Sequence, residues 1–121
     1  MNVLKLVLVG LAIGSTTSMA NDCTAPVTPS LPDGAQATLE QMLAGQKAVK
    51  AYQTANSEYR ACLDPLVSAA EVAAAGDSPG PELQEALTKL NESYNASVSS
   101  EEALAEAFNT QLREYKAANP S

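Results

Sequence analysis

The sequence predicts an all-α protein: an antiparallel helical hairpin with an N-terminal proline-rich strap held by one disulfide. Apolar residues recur at helical spacing over two arms of nearly equal length, residues 38–75 and 82–118. The run GDSPGP at residues 76–81 separates the arms and is typical of a turn. The only two cysteines, Cys23 and Cys62, flank the proline-rich segment and most of the first arm. Each arm is predicted either as one long helix or as a helix broken once.

The first arm has an apolar face and a charged face. Its apolar residues are spaced by three, four or seven positions, which places them on one side of a helix. They are Leu39, Met42, Leu43, Val49, Tyr52, Tyr59, Cys62 and Leu66. Thr38 and Gln41 fit a capping box at the start of the helix. Pro65 predicts a kink or a restart, for which Asp64 would be the cap.

Residues 21–37 form the predicted strap. Proline at every third position, Pro26, Pro29 and Pro32, favours an extended chain without helix. Such a segment is long enough to turn at residues 33–34 and reach back along the first arm to Cys62. An intramolecular disulfide is therefore favoured, and an intermolecular bridge or reactive thiols are the alternatives. Closing a loop of about 40 residues would stabilise the fold by roughly 4 kcal/mol.

The second arm carries its own apolar stripe. Its members are Leu83, Leu87, Leu90, Tyr94, Val98, Leu104, Phe108, Leu112 and Tyr115. Pro81 suits the first helical position. Ser99 followed by Glu102 would cap a new helix, so a break at residues 97–100 is one of the two expectations for this arm.

Counting outward from the turn pairs apolar residues of the two arms, such as Tyr52 with Leu104 and Val49 with Phe108. We predict that these side chains form a core or interaction stripe and not a ligand box. The stripe comprises Met42, Val49, Tyr52, Tyr59, Tyr94, Leu104, Phe108, Leu112 and Tyr115. Phe108, the only phenylalanine, is predicted to be a core anchor that faces Val49.

A polar layer interrupts both stripes at matching distances from the turn, with Ser97 to Glu101 on the second arm and Asn56 on the first. The same count places Asn56 near Glu101. We expect this layer to be either hydrogen-bonded across the hairpin or open to water. In both cases it is predicted to be the weakest part of the hairpin. The alternative is that the helices roll and these two side chains point to solvent.

Residues 1–20 are predicted to be a secretory signal peptide, with Lys5, an apolar run and Ser18-Met19-Ala20 as the cleavage site. The apolar run is too short to span a bilayer, so no membrane span is expected after cleavage. The formal net charge is −7, without a basic cluster. This composition argues against nucleic acid and anionic membrane surfaces as partners. The predicted signal peptide indicates a periplasmic or secreted protein.

The chain carries few groups for catalysis. It has no histidine, which excludes histidine bases and histidine metal ligands. No phosphate-binding loop, nucleophile elbow or Cys-x-x-Cys motif is present. The adjacent Glu101 and Glu102 point in different directions on a helix and make a poor acid–base pair. We expect no catalytic residue, no metal site, no cofactor and no enzymatic activity.

Four segments carry a resemblance to a known group of proteins. They are CTAPVTPSLPDGAQAT (residues 23–38), QKAVKAY (46–52), YRACL (59–63) and FNTQLREYK (108–116). In these segments the chain resembles small exported α-helical proteins of proteobacteria with one disulfide. The resemblance covers most of the chain after the signal peptide and implies a periplasmic bacterial protein. It carries over no catalytic residue and no known ligand.

Three classes of function fit these observations. The first is a non-enzymatic binding, adaptor or chaperone-like module that acts through helix faces, with an unknown protein partner or a second copy in a homodimer. Two helices alone leave part of each stripe uncovered, and a four-helix bundle would cover it. The second is a structural component of the cell envelope. The third is a redox protein that uses Cys23 and Cys62.

Overall fold

The computed structural model describes residues 23–120, which form two long antiparallel helices and an extended N-terminal segment. Helix α1 spans Leu39–Ala74 and helix α2 spans Pro81–Ala118. The predicted all-α hairpin is thereby confirmed. The predicted signal peptide at residues 1–20 lies outside the described residues. Within residues 23–120, no helix is long and apolar enough to cross a membrane.

The N-terminus of α1 is closed by the predicted capping box. The amide of Gln41 donates to Thr38 Oγ1 at 3.2 Å, and the amide of Thr38 donates to Gln41 Oε1 at 2.9 Å. Two amides that a helix start leaves without partners are thus satisfied.

The predicted restart at Pro65 is wrong, because α1 continues through the proline. Proline removes one backbone hydrogen bond. Here the helix continues despite the missing hydrogen bond. Leu63, which precedes the proline, is buried, and Leu66 and Val67, which follow it, are half-buried. Asp64 is therefore an interior helical residue and caps nothing.

Of the two expectations for the second arm, the continuous helix is confirmed and the break at residues 97–100 is wrong, since α2 is one helix from Pro81 at its first position to Ala118. No glycine or proline follows Pro81 until Pro120. Ser97, which we expected to mark the break, is buried against α1. Packing against α1 therefore outweighs the low helix propensity of the serines in this stretch.

The strap lies in one of the two grooves between the helices. Residues 23–33 are extended, and the chain then turns, with the amide of Ala37 donating to the carbonyl of Asp33 at 2.8 Å. The amide of Gly34 donates to Gln111 Oε1 at 2.8 Å, which fixes the turn to α2. The strap is thus a third layer, which our sequence analysis did not expect.

The predicted disulfide between Cys23 and Cys62 is confirmed. Its Cα atoms lie 5.8 Å apart, and it joins residues 39 positions apart. It ties the start of the strap to α1 about two thirds of the way along that helix. A structural disulfide of this kind is typical of an oxidising environment outside the cytoplasm.

The disulfide divides the hairpin into two regions. We call residues 23–63 and 97–118 the strapped half, and residues 64–96 the turn end. All residues described as buried belong to the strapped half: Gly34, Met42, Gly45, Val49, Tyr52, Asn56, Leu63, Ser97 and Leu104. Apolar side chains of the turn end are at most half-buried.

Candidate interaction groove

The groove that holds the strap is closed by close packing. Leu31 of the strap packs against the core cluster of Val49, Tyr52 and Leu104. A Cβ atom placed on Gly45 would come within 2.9 Å of Pro32 Cδ. The lack of a side chain at Gly45 therefore lets the strap lie directly on α1.

A wide hollow of about 600 Å³ remains where the strap turns back towards the start of α1. Its one charged side chain is that of Asp33, which accepts a hydrogen bond from the amide of Ala35 at 3.1 Å. Gln41, also in its lining, is engaged in the capping box. These polar groups already have local partners, so this hollow does not indicate a ligand.

The opposite side of the hairpin carries a second groove that nothing in residues 23–120 covers. We call it the open groove. On α1 its residues recur at steps of three and four, so they follow one side of the helix. They are Gln46, Val49, Lys50, Gln53, Asp64, Val67, Ser68 and Glu71 on α1, with Asn91, Tyr94, Ala105, Phe108, Asn109 and Leu112 on α2. From Gln46 to Glu71 the groove is about 38 Å long, at about 1.5 Å per residue.

In the strapped half, the open groove has a hollow of about 260 Å³ with an apolar floor of Val49, Phe108 and Leu112. Lys50 is the charged residue in its lining. Phe108 packs against the core cluster that contains Val49, as predicted, but it is half-buried and one edge remains accessible. Phe108 therefore belongs to both the core and the groove.

In the middle of the hairpin, Arg60 of α1 bridges to α2. Its guanidinium lies 3.4 Å from the carboxylate of Glu101 and donates to Ser97 Oγ at 3.2 Å and to Ser57 Oγ at 3.4 Å. The two ionic side chains are only 17% and 25% exposed. Partial burial lowers the screening of this pair by solvent.

Beneath this ion pair lies Asn56, which at 1% exposure is the only fully buried large side chain among the described residues. Its Nδ2 donates to the carbonyl of Ser97 at 2.9 Å, and Ser97 Oγ donates to Asn56 Oδ1 at 2.7 Å. The predicted polar layer of Asn56 against residues 97–101 is thus confirmed in its hydrogen-bonded form. The exact pairing is wrong by one helical turn, because Asn56 faces Ser97 and not Glu101. The short asparagine reaches Ser97, and the longer Arg60 reaches Glu101. The predicted alternative in which both side chains point to solvent is likewise wrong.

In the turn end, the open groove has a hollow of about 340 Å³ between Val67 and Tyr94. Two carboxylates, Asp64 and Glu71, stand in its lining, and neither has an ion-pair partner within residues 23–120. The groove thus carries a lysine in one segment and two acids in the other.

The predicted stripe is divided between core and groove. Met42, Val49, Tyr52 and Leu104 are buried, whereas Tyr59, Tyr94, Phe108, Leu112 and Tyr115 are half-buried. Sequence reasoning missed the bridging role of Arg60 and the close packing of two glycines, Gly34 and Gly45. Arg60 lies four residues after Asn56, a spacing that would have placed it on the side of α1 that faces α2. Nothing in the sequence pattern marks the two glycines as strap contacts.

The open groove offers apolar surface, amides and charges, which are suited to binding a protein segment.

Within residues 23–120, no three acidic or cysteine side chains come close enough together to hold a metal ion.

Comparison with known proteins identifies no relative. No protein-family model matches this chain, no curated protein matches its sequence and no solved structure matches its fold.

Proposed function

We propose that this protein is a non-enzymatic helical module, exported to the periplasm or secreted, that binds a helical protein segment along the open groove. The observation that carries the proposal is the asymmetry of the hairpin: the strap fills one groove and leaves the other uncovered. An uncovered groove between two helices, with apolar side chains on its floor and polar ones on its rim, is a common way to bind a third helix.

The location outside the cytoplasm rests on two observations. The disulfide between Cys23 and Cys62 requires an oxidising compartment to persist. The first 20 residues have the charge and apolar pattern of a signal peptide. The resemblance to small exported proteins of proteobacteria supports the periplasm in particular.

Site-specific photo-crosslinking in living cells tests this function. A photoreactive side chain is placed at Ser68, which lines the open groove, or at Ala73, which is exposed, lies on the other side of the same helix and does not line the groove. We expect an adduct of discrete mass from position 68 and none from position 73. Peptide mapping of the adduct should locate the bond in a helical segment. Equal crosslinking at both positions, or none at position 68, would contradict binding along the groove.

A further inference from the structure

We propose that the open groove is covered by a second copy of this chain, packed antiparallel, so that the turn end of each protomer lies on the strapped half of the other. The inference rests on the proposed function, since it names the segment that the groove binds. The product is a four-helix bundle with both straps on its outer faces.

The first argument is the spacing of the apolar floor. The two hollows lie on either side of the ion pair between Arg60 and Glu101. On α2, Glu101 lies seven residues from Tyr94 and seven from Phe108. A two-fold axis through this point therefore places the Phe108 region of one protomer on the Tyr94 region of the other. A surface that matches itself under such an axis is what a symmetric dimer requires.

The second argument is the distribution of charge along the groove on α1. Lys50 lies in the strapped half, and Asp64 and Glu71 lie in the turn end. The midpoint between Lys50 and Asp64 is position 57, and that between Lys50 and Glu71 lies between positions 60 and 61. An axis at Arg60 thus places Lys50 one residue from the level of the partner's Glu71 and six residues, about 9 Å along the helix, from that of the partner's Asp64. Opposite charges at these positions favour this register.

The charge of the two regions also decides the orientation. The turn end has six acidic residues and one lysine: Asp64, Glu71, Asp77, Glu82, Glu85, Glu92 and Lys89. A parallel dimer would place these acidic ends side by side, which is unfavourable. The strapped half holds five of the six basic residues among residues 23–120: Lys47, Lys50, Arg60, Arg113 and Lys116. The strapped half also holds seven acidic residues, which leaves it at a net charge of −2 against −5 for the turn end. The antiparallel arrangement therefore places the less acidic half of each protomer against the more acidic end of the other.

The mass in solution tests the dimer directly. We would purify the disulfide-bonded protein from the periplasm and measure its mass by sedimentation equilibrium over a range of concentrations. We expect a reversible dimer. Val67→Glu, at the groove floor, should give a monomer at all concentrations. The matched control Val72→Glu introduces the same charge on the same helix outside the groove and should remain dimeric.

Charge reversal tests the register with variants at exposed positions, which should fold. Lys50→Glu and Glu71→Lys should each raise the dissociation constant roughly tenfold, because each places like charges opposite one another twice in the dimer. The double variant, Lys50→Glu with Glu71→Lys, should restore the dissociation constant of the unmodified protein. Glu71→Lys also reduces the net negative charge, so a general effect of charge would instead tighten the dimer. A tighter dimer in this variant would overturn the register.

The remaining outcomes separate the two proposals. A protein that is monomeric at all concentrations overturns the homodimer, while a Ser68 crosslink to a helix of a different protein leaves the proposed function standing. A dimer that persists in Val67→Glu shows that the copies meet elsewhere and overturns the assignment of the groove. Circular dichroism of each variant confirms that its helix content is unchanged.

Discussion

The strapped half and the turn end are built from the same two helices, yet they differ in the number of layers. In the strapped half, the extended N-terminal segment adds a third layer, and side chains such as Val49, Tyr52 and Leu104 become buried. In the turn end only two helices meet, and Leu87, Leu90 and Tyr94 remain half-buried. Two helices cannot enclose a core by themselves, and a third layer of any kind changes this.

The difference shows that the strap substitutes for a helix. Its Leu31 and Pro32 pack against the helices. Proline and the disulfide both reduce the conformational entropy that the strap loses on folding. A chain of this size thereby acquires a core without a longer sequence. The turn end has no such device, so no strap covers either side of its two helices, whereas in the strapped half only the open groove remains uncovered.

The largest expected effect comes from removing the disulfide. Cys62→Ser should lower the free energy of unfolding by about 4 kcal/mol, because the unfolded chain regains the freedom of a loop of about 40 residues. Urea denaturation followed by circular dichroism measures this loss. The double variant Cys23→Ser, Cys62→Ser is the control for an unpaired thiol and should be destabilised equally. A loss below 1 kcal/mol would mean that the strap holds its place without the bond.

The second effect concerns the polar contact between the helices. Asn56→Ala should cost roughly 2–3 kcal/mol, because the carbonyl of Ser97 loses its side-chain donor and a cavity remains. Asn95→Ala is the control, since Asn95 is an exposed residue of α2, and should change the stability by less than about 0.5 kcal/mol. Equal melting curves for the two variants would show that the buried pair contributes no stability.

The third effect concerns the packing of the strap against α2. A Cβ atom on Gly34 would overlap the backbone carbonyl of Gln111, which cannot move without distorting α2. Gly34→Ala should therefore cost about 1–2 kcal/mol. Gly76→Ala is the control, because a Cβ there meets only the carbonyl of Ala73 at 3.4 Å. Neither glycine has a positive φ, so the comparison isolates close packing. Equal stability of the two variants would contradict tight seating of the strap.

Local signals made the hairpin predictable from sequence. The capping residues Thr38 and Gln41, the GDSPGP turn and Pro81 each act through neighbouring backbone groups, so their effect is readable without the rest of the fold. The disulfide followed from having one pair of cysteines and a strap long enough to join them.

The errors arose where distant contacts decide the outcome. Pro65 and the serines near Ser97 weaken a helix locally, and only packing against the other helix shows that both helices continue. The open groove was equally hidden. Its position depends on which side of the hairpin the strap covers, and the sequence pattern is compatible with both sides.

The last prediction compares the two regions without any substitution. Sequence reasoning placed the weakest part of α2 at Ala96–Glu102, in the polar layer. The structure places there the buried hydrogen bonds of Asn56 with Ser97 and the bridge from Arg60 to Glu101. Segments with few buried contacts open most readily, so we now expect amides around Leu87 to exchange first.

Hydrogen exchange, measured at concentrations at which the protein is monomeric, tests this ranking. Amides around Leu87 should exchange at least roughly tenfold faster than those of residues 96–102, a difference of about 1.4 kcal/mol in opening free energy. Amides around Leu112, in the strapped half, are the internal reference. Faster exchange at residues 96–102 than at Leu87 would restore the original expectation of a weak polar layer. Because α2 itself is continuous, such a result would mean that the buried hydrogen bonds join the helices without holding them closed.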